Sequence, residues 1–440
     1  MHRSSFLFTA ILTLLSTLSI AQTSLLQSGP MVGYSEMLEV MLWVQTTAPA
    51  DVQISYWPKD QPEDKKLTNL VKTVAARGFT AHLLANQVEP GTNYQYEVLI
   101  NGKAVRRPYP TEFVTQKLWQ WREDPPAFSM ALGSCTYVNE PEVDRPGEPY
   151  GGDYQIFQSI HQKDPDLMLW LGDNIYLREV DWYSTTGIYH RYTHTRSLPE
   201  MQALLASTHN YAIWDDHDFG PNDSNRSYIH KEKTWLAFQD FWANPSYGLP
   251  GQKGTTTMFQ WADVDFFLLD DRYFRSPNGR ESGEGTLLGT VQLEWLIDAL
   301  SSSNASFKFV AIGGQVLNTA AVYENYANRH AKERAYLLQR LNQEGIKNVI
   351  FLTGDRHHTE LSKLTTRDGV TLFDFTVSPL TSSAARPLTE TNGNRVENTL
   401  VTQRNFGWIQ VEGPRAKRML TLTVFDSNGE ALWSEVIQQE

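Results

Sequence analysis

The stretch Leu167-Met-Leu-Trp-Leu-Gly-Asp-Asn-Ile-Tyr176 decides how the rest of the chain is read. Five apolar residues without alternation run into Gly172-Asp173, the pattern of a strand buried on both faces. Such strands belong to layered α/β sheets, whose ligands sit beyond the carboxyl ends of the strands. Glycine allows a sharp turn there, and Asp173 then projects a carboxylate from a rigid strand end. The same grammar returns near the C-terminus, where Val349-Ile-Phe-Leu-Thr353 runs into Gly354-Asp355-Arg356-His357-His358. Two buried strands ending in Gly-Asp point to one site fed by both. The plainer reading, in which each Asp only caps its turn, leaves the paired histidines unexplained.

Two more strand ends carry chemistry. Ala127 to Leu132 leads into Gly133-Ser134-Cys135, and Tyr211 to Trp214 leads into Asp215-Asp216-His217-Asp218. Together the four ends supply thiolate, carboxylate, phenol (Tyr176) and imidazole. That mixture of soft and hard donors suits a transition metal beside a harder ion. Three carboxylates within four residues repel one another, which itself favours a bound cation. Cys135 is the only cysteine, so no internal disulfide forms. It is either a buried, inert thiol or a thiolate protected by a metal.

The 440 residues call for more than one ordinary core. A hydrophobic fraction of 41% marks a globular chain, and a net charge of −12 disfavours non-specific attraction to nucleic acid or anionic lipid. Residues 1–21 read as a secretory signal: His2-Arg3, an apolar run from Phe6 to Ile20, and small residues at Ser19 and Ala21. No later run is long and apolar enough for a membrane span, so a secreted or periplasmic protein is expected. Residues 22–116 are β-like, with runs such as Met37–Val44 and Tyr94–Ile100 separated by turn signals, and suggest an immunoglobulin- or fibronectin-like sandwich. Lys117 to Pro126 reads as a linker. From 127 to 412 strands and helices alternate, which argues for an α/β layered core. Residues 413–440, with Phe406 to Val411 before them, read as closing antiparallel strands.

At this point the sequence resembles the PhoD-like alkaline phosphatase/phosphodiesterase family of metallophosphoesterases. The resemblance rests on Gly133-Ser134-Cys135, Gly172-Asp173-Asn174-Ile175-Tyr176, Trp214-Asp215-Asp216-His217-Asp218, Gly313-Gly314-Gln315-Val316 and Gly354-Asp355-Arg356-His357, in that order. It implies a two-layered β-sandwich flanked by helices, preceded by the all-β domain. It implies that Cys135, Asp173, Tyr176 and His357 hold a ferric-type ion, with Asp173 bridging to a second site. That second site is associated with calcium, zinc and manganese being the alternatives, and Asp216 and Asp355 are its candidate ligands. His217 falls on the histidine that meets the substrate. The acidic motif departs from the family where it continues Asp218-Phe219-Gly220-Pro221-Asn222-Asp223, and Asn222 and Asp223 are the residues available to complete the ligand shell of the second metal. The loop Glu140 to Gly152 and the insert Arg275 to Gly285 have no assigned role beyond lining the substrate side.

The chemistry expected follows from charge. Two cations neutralise the oxygens of a phosphate mono- or diester and activate a hydroxide for in-line attack, with His217 stabilising or protonating the leaving oxygen. No Ser or Thr nucleophile is required. Gly-x-Ser-x-Gly, the Gly-rich P-loop and His-Glu-x-x-His are absent, which removes the common serine hydrolase, nucleotide and zinc-peptidase readings. The rival from another class is a non-catalytic surface-binding protein on the same scaffold. A third reading is the same fold acting on another ester. Neither the natural substrate nor the oligomeric state is legible.

Overall fold

The computed structural model describes residues 25–283, 285–323, 325–384 and 388–440. The leader expected over residues 1–21 lies outside the described residues.

Leu167–Leu171 is a strand with every residue buried. It runs parallel to Phe128–Gly133 on one side and to His209–Ile213 on the other. With both edges paired, its side chains divide by parity. Leu167, Leu169 and Leu171 enter a core shared with a second sheet. Met168 and Trp170 turn to the opposite face, under helices. Each fully buried leucine contributes about 1.5–3 kcal/mol relative to an exposed one, which is why the run has no polar member.

The second sheet has six strands in the spatial order Thr257–Trp261, Val264–Leu268, Phe307–Ala311, Val349–Thr353, Thr371–Thr376 and Glu360–Thr365. Its inner face gives Phe266, Leu268, Phe309, Ile350 and Leu352 to the shared core. Its outer face is covered by the helices Thr290–Ser302 and Ala331–Gln343. The helices Ile156–Gln162, Thr185–Arg196, Gln202–Ser207 and Lys231–Phe241 cover the first sheet. The result is helices, sheet, sheet, helices: an α/β sandwich that aims the strand ends of both sheets at one edge. Glu360–Thr365 and Thr371–Thr376 are strands the sequence reading passed over.

The first sheet is larger than the sequence suggests. Its nine strands include the C-terminal meander Asn405–Glu412, Met419–Asp426 and Ala431–Gln438 at one end. At the other end stand Leu26–Ser35, Val40–Thr46 and Thr80–Ala85 from the N-terminal region. The junction is a parallel bridge between Val32 and His209. The His209 ring fastens it, with Nδ1 donating to Gly33 O at 2.9 Å and Nε2 accepting from the Val114 N–H at 3.3 Å. A smaller sheet built on Asp51–Pro58 and Asn93–Ile100 packs over these three strands through Val32, Leu42, Ile54, Tyr56, Leu83 and Tyr94. The N-terminal region thus has two β layers, and one of them continues directly into the large sheet. Among the described residues, no helix is long and apolar enough to cross a membrane.

Candidate metal centre

The site forms where four strands end. Phe128–Gly133 delivers Cys135, Leu167–Leu171 delivers Asp173, His209–Ile213 delivers Asp216 and His217, and Val349–Thr353 delivers Asp355 and His357. Three donor groups result, each with ligand atoms within 4.8 Å of one another: Cys135 with Asp173 and His357, Asp173 with Asp216 and His217, and Asp215 with Asp216 and Asp355. Asp173 is common to the first two. The Tyr176 hydroxyl lies 3.2 Å from His357 Nε2, which joins the phenol to the first group. All seven residues singled out from the sequence therefore converge on one place.

The backbone is bent to achieve this. Cys135, Asp173, Asp355 and His357 have φ of 62°, 50°, 65° and 55°. None is glycine, and each such position costs on the order of 1 kcal/mol or more. Strain of this kind persists where surrounding structure over-determines it, and it collects at functional sites.

Asp215 was not among the residues singled out, and its setting explains two of the glycine motifs. A Cβ on Gly172 would stand 2.7 Å from the Asp215 Cβ, and one on Gly313 would stand 2.6 Å from its Cγ. Both glycines make room for this one carboxylate. Asp215 is ion-paired to Arg272 Nε, and both side chains are 1% exposed. Arg272 also stands 3.8 Å from Asp216 and 3.9 Å from Asp271. A pair 57 residues apart leaves no local signal in the sequence. Of the two residues named to complete the second metal's ligand shell, Asp223 approaches Asp216 through its backbone N–H at 2.8 Å. The Asp223 carboxylate is in none of the three donor groups.

Charge makes the site unstable by itself. Burial, with Asp216, Asp215, Asp218 and Asp355 around it, holds the Asp173 carboxyl well above the usual range. Burial and the Asp173 carboxylate do the same to the Cys135 thiol, although Ser134 and Ser378 hydroxyls point at the sulfur. Burial and Asp173 also raise the Tyr176 phenol. Burial would raise Asp216, but His217, Arg272 and the Asp223 N–H outweigh it and hold this carboxyl low. Burial and His217 push His357 down to about 4, so its imidazole is neutral. Asp215 Oδ2 and Asp216 Oδ1 are buried without a hydrogen-bond partner. Buried carboxylates that repel each other and keep unpaired oxygens are what bound cations relieve. A thiolate, a phenolate and an imidazole on one side suit a transition metal, and the all-carboxylate side suits a harder ion. The donor set fits the expected pair of metals.

His217 belongs to the second donor group but is only partly buried. Its side chain is 23% exposed, its ring lies on Tyr176 with centroids 4.2 Å apart, and its backbone N–H donates to Asp173 Oδ1 at 3.2 Å.

Comparison with known proteins bears on both fold and family. The model of a domain of unknown function (DUF7800) matches residues 23–118. Alkaline phosphatase D of Bacillus subtilis (strain 168) is 22% identical over 353 residues, 68% of this chain and 56% of its own length. The chain thus spans just over half the length of that curated relative. The solved structure of PhoD superposes with a TM-score of 0.77 at 16% identity, covering 95% of this chain and 91% of that one. Purple acid phosphatase PPD1 from yellow lupin (Lupinus luteus) seeds gives a TM-score of 0.67 at 12% identity, covering 93% and 74%. These two likenesses establish an α/β phosphoesterase-type fold. The model of the PhoD-like phosphatases matches residues 130–416, which hold every residue of the site and well over half of the chain. The chain belongs to the PhoD-like phosphatase family, a family of phosphoric ester hydrolases.

Proposed function

We propose that this protein is an exported, metal-dependent phosphoesterase that hydrolyses phosphate mono- or diesters. One observation carries the reading: Asp173 is shared between a mixed thiolate–imidazole group and a carboxylate–imidazole group, all at converging strand ends. In this reading Cys135, Asp173, Tyr176 and His357 hold a ferric-type ion. Asp173, Asp216 and Asp355, with Asp215, hold a second cation, calcium by resemblance, with zinc or manganese as alternatives. When bound, the two ions supply positive charge against the phosphate oxygens and acidify water.

The chain's own residues do the rest. The strained strand ends hold the donors in place before substrate arrives, so the charge that meets the phosphate needs no reorganisation. His217, on the open side, holds a proton donor against the leaving oxygen. Arg272 neutralises Asp215, which keeps a crowded acidic group from repelling the substrate outright. The names of the two relatives, both phosphatases, support the same substrate class. The leader-like residues 1–21 support export, and residues 22–116 are taken as a two-layered β module preceding the catalytic part.

The test is turnover of p-nitrophenyl phosphate and of its bis-ester, with elemental analysis of the purified protein. Hydrolysis of either, with iron present, is expected. A metal-free protein that hydrolyses neither would favour the surface-binding scaffold instead.

A further inference from the structure

Tyr176 is delivered to the site differently from the other donors. Its strand ends at Leu171, and Tyr176 follows in an irregular stretch, farther from its strand than any other donor of the site. The sheet therefore does not fix where the phenol points, and donors carried on loops are held less precisely than donors at strand ends. Two rings pack on the Tyr176 ring: Tyr137 with centroids 5.0 Å apart and His217 at 4.2 Å. Its backbone is held by Arg178, whose Nη1 donates to the Tyr176 carbonyl.

Arg178 is buried, and the rest of its guanidinium is tied to the loop 137–152. Nη2 donates to Val138 O at 2.7 Å, and Nε donates to Asp144 Oδ1 at 3.0 Å. The guanidinium carbon sits 4.0 Å from the centre of the Tyr137 ring. Asp144 also accepts from the Tyr137 hydroxyl at 2.8 Å. One cation thus fixes both the carbonyl of Tyr176 and the ring against which Tyr176 packs. Acceptors in three directions and a ring face match a planar fork of donors, which an ammonium does not supply.

The loop is itself heavily fastened. Asn139 Nδ2 donates to Gly151 O at 2.8 Å, and the Gly151 N–H donates back to Asn139 Oδ1 at 2.9 Å. Glu140 is ion-paired at 2.7 Å to the fully buried Arg191, on the helix Thr185–Arg196. Arg191 Nε donates to Asp181 Oδ2 at 2.8 Å, and the same oxygen accepts the Arg178 N–H at 2.9 Å. The circuit closes where it began, on Arg178. Ordering a long polar loop costs conformational entropy, yet this loop gives no Cys, His, Asp or Glu to the three donor groups. What the circuit holds against the site is Tyr176.

We propose that Arg178 is a positioning residue for the Tyr176 phenol, keeping its oxygen beside His357 Nε2 through the Tyr176 carbonyl and the Tyr137 ring. The proposal rests on the reading of Tyr176 as a metal ligand and deepens it. The test uses the protein as purified with its metals, and Arg178→Lys, which keeps a positive charge and gives up the fork. Resonance Raman scattering excited in the visible band separates the ring modes of a metal-bound phenolate from the modes of a metal-bound thiolate. In the folded variant the phenolate modes are expected to shift and weaken while the thiolate modes stay. A chelator should draw iron about tenfold faster, the scale of losing an outer partner of a ligand. Phenolate modes identical to the wild type overturn the proposal, whatever the loss of stability, and leave Arg178 a structural cation. Where Arg178→Lys does not fold, Asp144→Asn decides: it loosens the guanidinium and should move the same modes by less, and unchanged modes overturn the proposal equally. A wild type with thiolate modes alone removes Tyr176 from the metal and the proposal with it, while the metal centre stands. A wild type with neither sinks the ferric reading itself, and the proposal falls with it.

Discussion

Two buried polar regions meet at Gly354-Asp355-Arg356-His357-His358, and they solve the problem of buried charge in opposite ways. Asp355 and His357 face the strand-end cluster, where Asp173 and Asp216 crowd together and Asp215 Oδ2 and Asp216 Oδ1 lack a hydrogen-bond partner. Arg356 and His358 face away from it. Arg356 Nη2 donates to both Glu390 oxygens at 2.8 Å, and Nη1 donates to Gln315 Oε1 at 3.0 Å. His358 lies beside Glu360, which also pairs with Arg395 and accepts from Gln315 and Asn392 at 2.8 Å. Burial would raise Glu360, but His358 and Arg395 prevail and hold its carboxyl down at about 2. Behind the site the protein supplies its own counter-charges. In the site Arg272 serves Asp215 and stands 3.8 Å from Asp216, while the charged neighbours that act on Asp173 are all acidic. The difference teaches that the front region is built for ions from outside and the back region is built to hold the bent ligand segment still.

The largest effect that would sharpen this contrast is expected for Asp173→Asn. Activity should fall at least about a thousandfold, because an electrostatic element shared by both ions is lost. Elemental analysis should show both metals depleted. The chelated variant should nonetheless be as stable as chelated wild type or more so, since a repelled buried carboxylate has been removed. A chelated variant much less stable than chelated wild type would break the comparison, making Asp173 a structural residue.

Arg356→Met is the counterpart from the back region. It leaves Glu390 buried beside an apolar side chain, and breaking a buried pair costs about 3–5 kcal/mol. The Arg356 and Glu390 side chains are 3% and 6% exposed. Denaturant unfolding should show this loss, while the folded fraction keeps its iron. Loss of iron without loss of stability would place Arg356 in the front region instead.

A smaller effect comes from pH in protein stripped of metal. The Asp173 carboxyl is raised above its unfolded value by burial and its acidic neighbours. A group raised in this way contributes stability that is present below the unfolded carboxylate range and is lost as pH rises through the folded pKa. Chelated protein should therefore be more stable in mild acid than in mild alkali, and saturating metal should abolish or reverse that slope. Thermal unfolding across pH, with and without chelator, checks the sign. A chelated protein that gains stability steadily towards alkali would contradict it.

Much of the front region was legible because its chemistry sits at strand ends. An unbroken apolar run specifies a strand buried on both faces, and the Gly-Asp that follows specifies where it stops. That logic located Cys135, Asp173, Asp216, His217, Asp355 and His357, and Tyr176 followed three residues behind Asp173. The back region was not legible, because apart from His358 and Glu360 its pairs join segments far apart in the chain. Asp215 lay inside a motif that was read, but its partner Arg272 comes from a distant loop, and an ion pair has no periodicity. The strand Leu26–Ser35 went unread because Gly29-Pro30 and Gly33 interrupt it, and its pairing on both sides is supplied by tertiary contacts. For that reason the N-terminal layer looked like a separate sheet in the sequence and proved continuous with the large one.

The central claim is that Cys135, Asp173, Tyr176 and His357 share one metal ion rather than filling a core. The most direct measurement is the visible absorption spectrum of the protein as purified, taken with its iron content, for wild type and Cys135→Ser. The account predicts a coloured wild type, through charge transfer from thiolate and phenolate, with iron in proportion to protein, and a Cys135→Ser variant that folds but loses both colour and iron. A colourless, iron-free wild type whose single thiol titrates freely after unfolding, and whose activity survives Cys135→Ser, would contradict it.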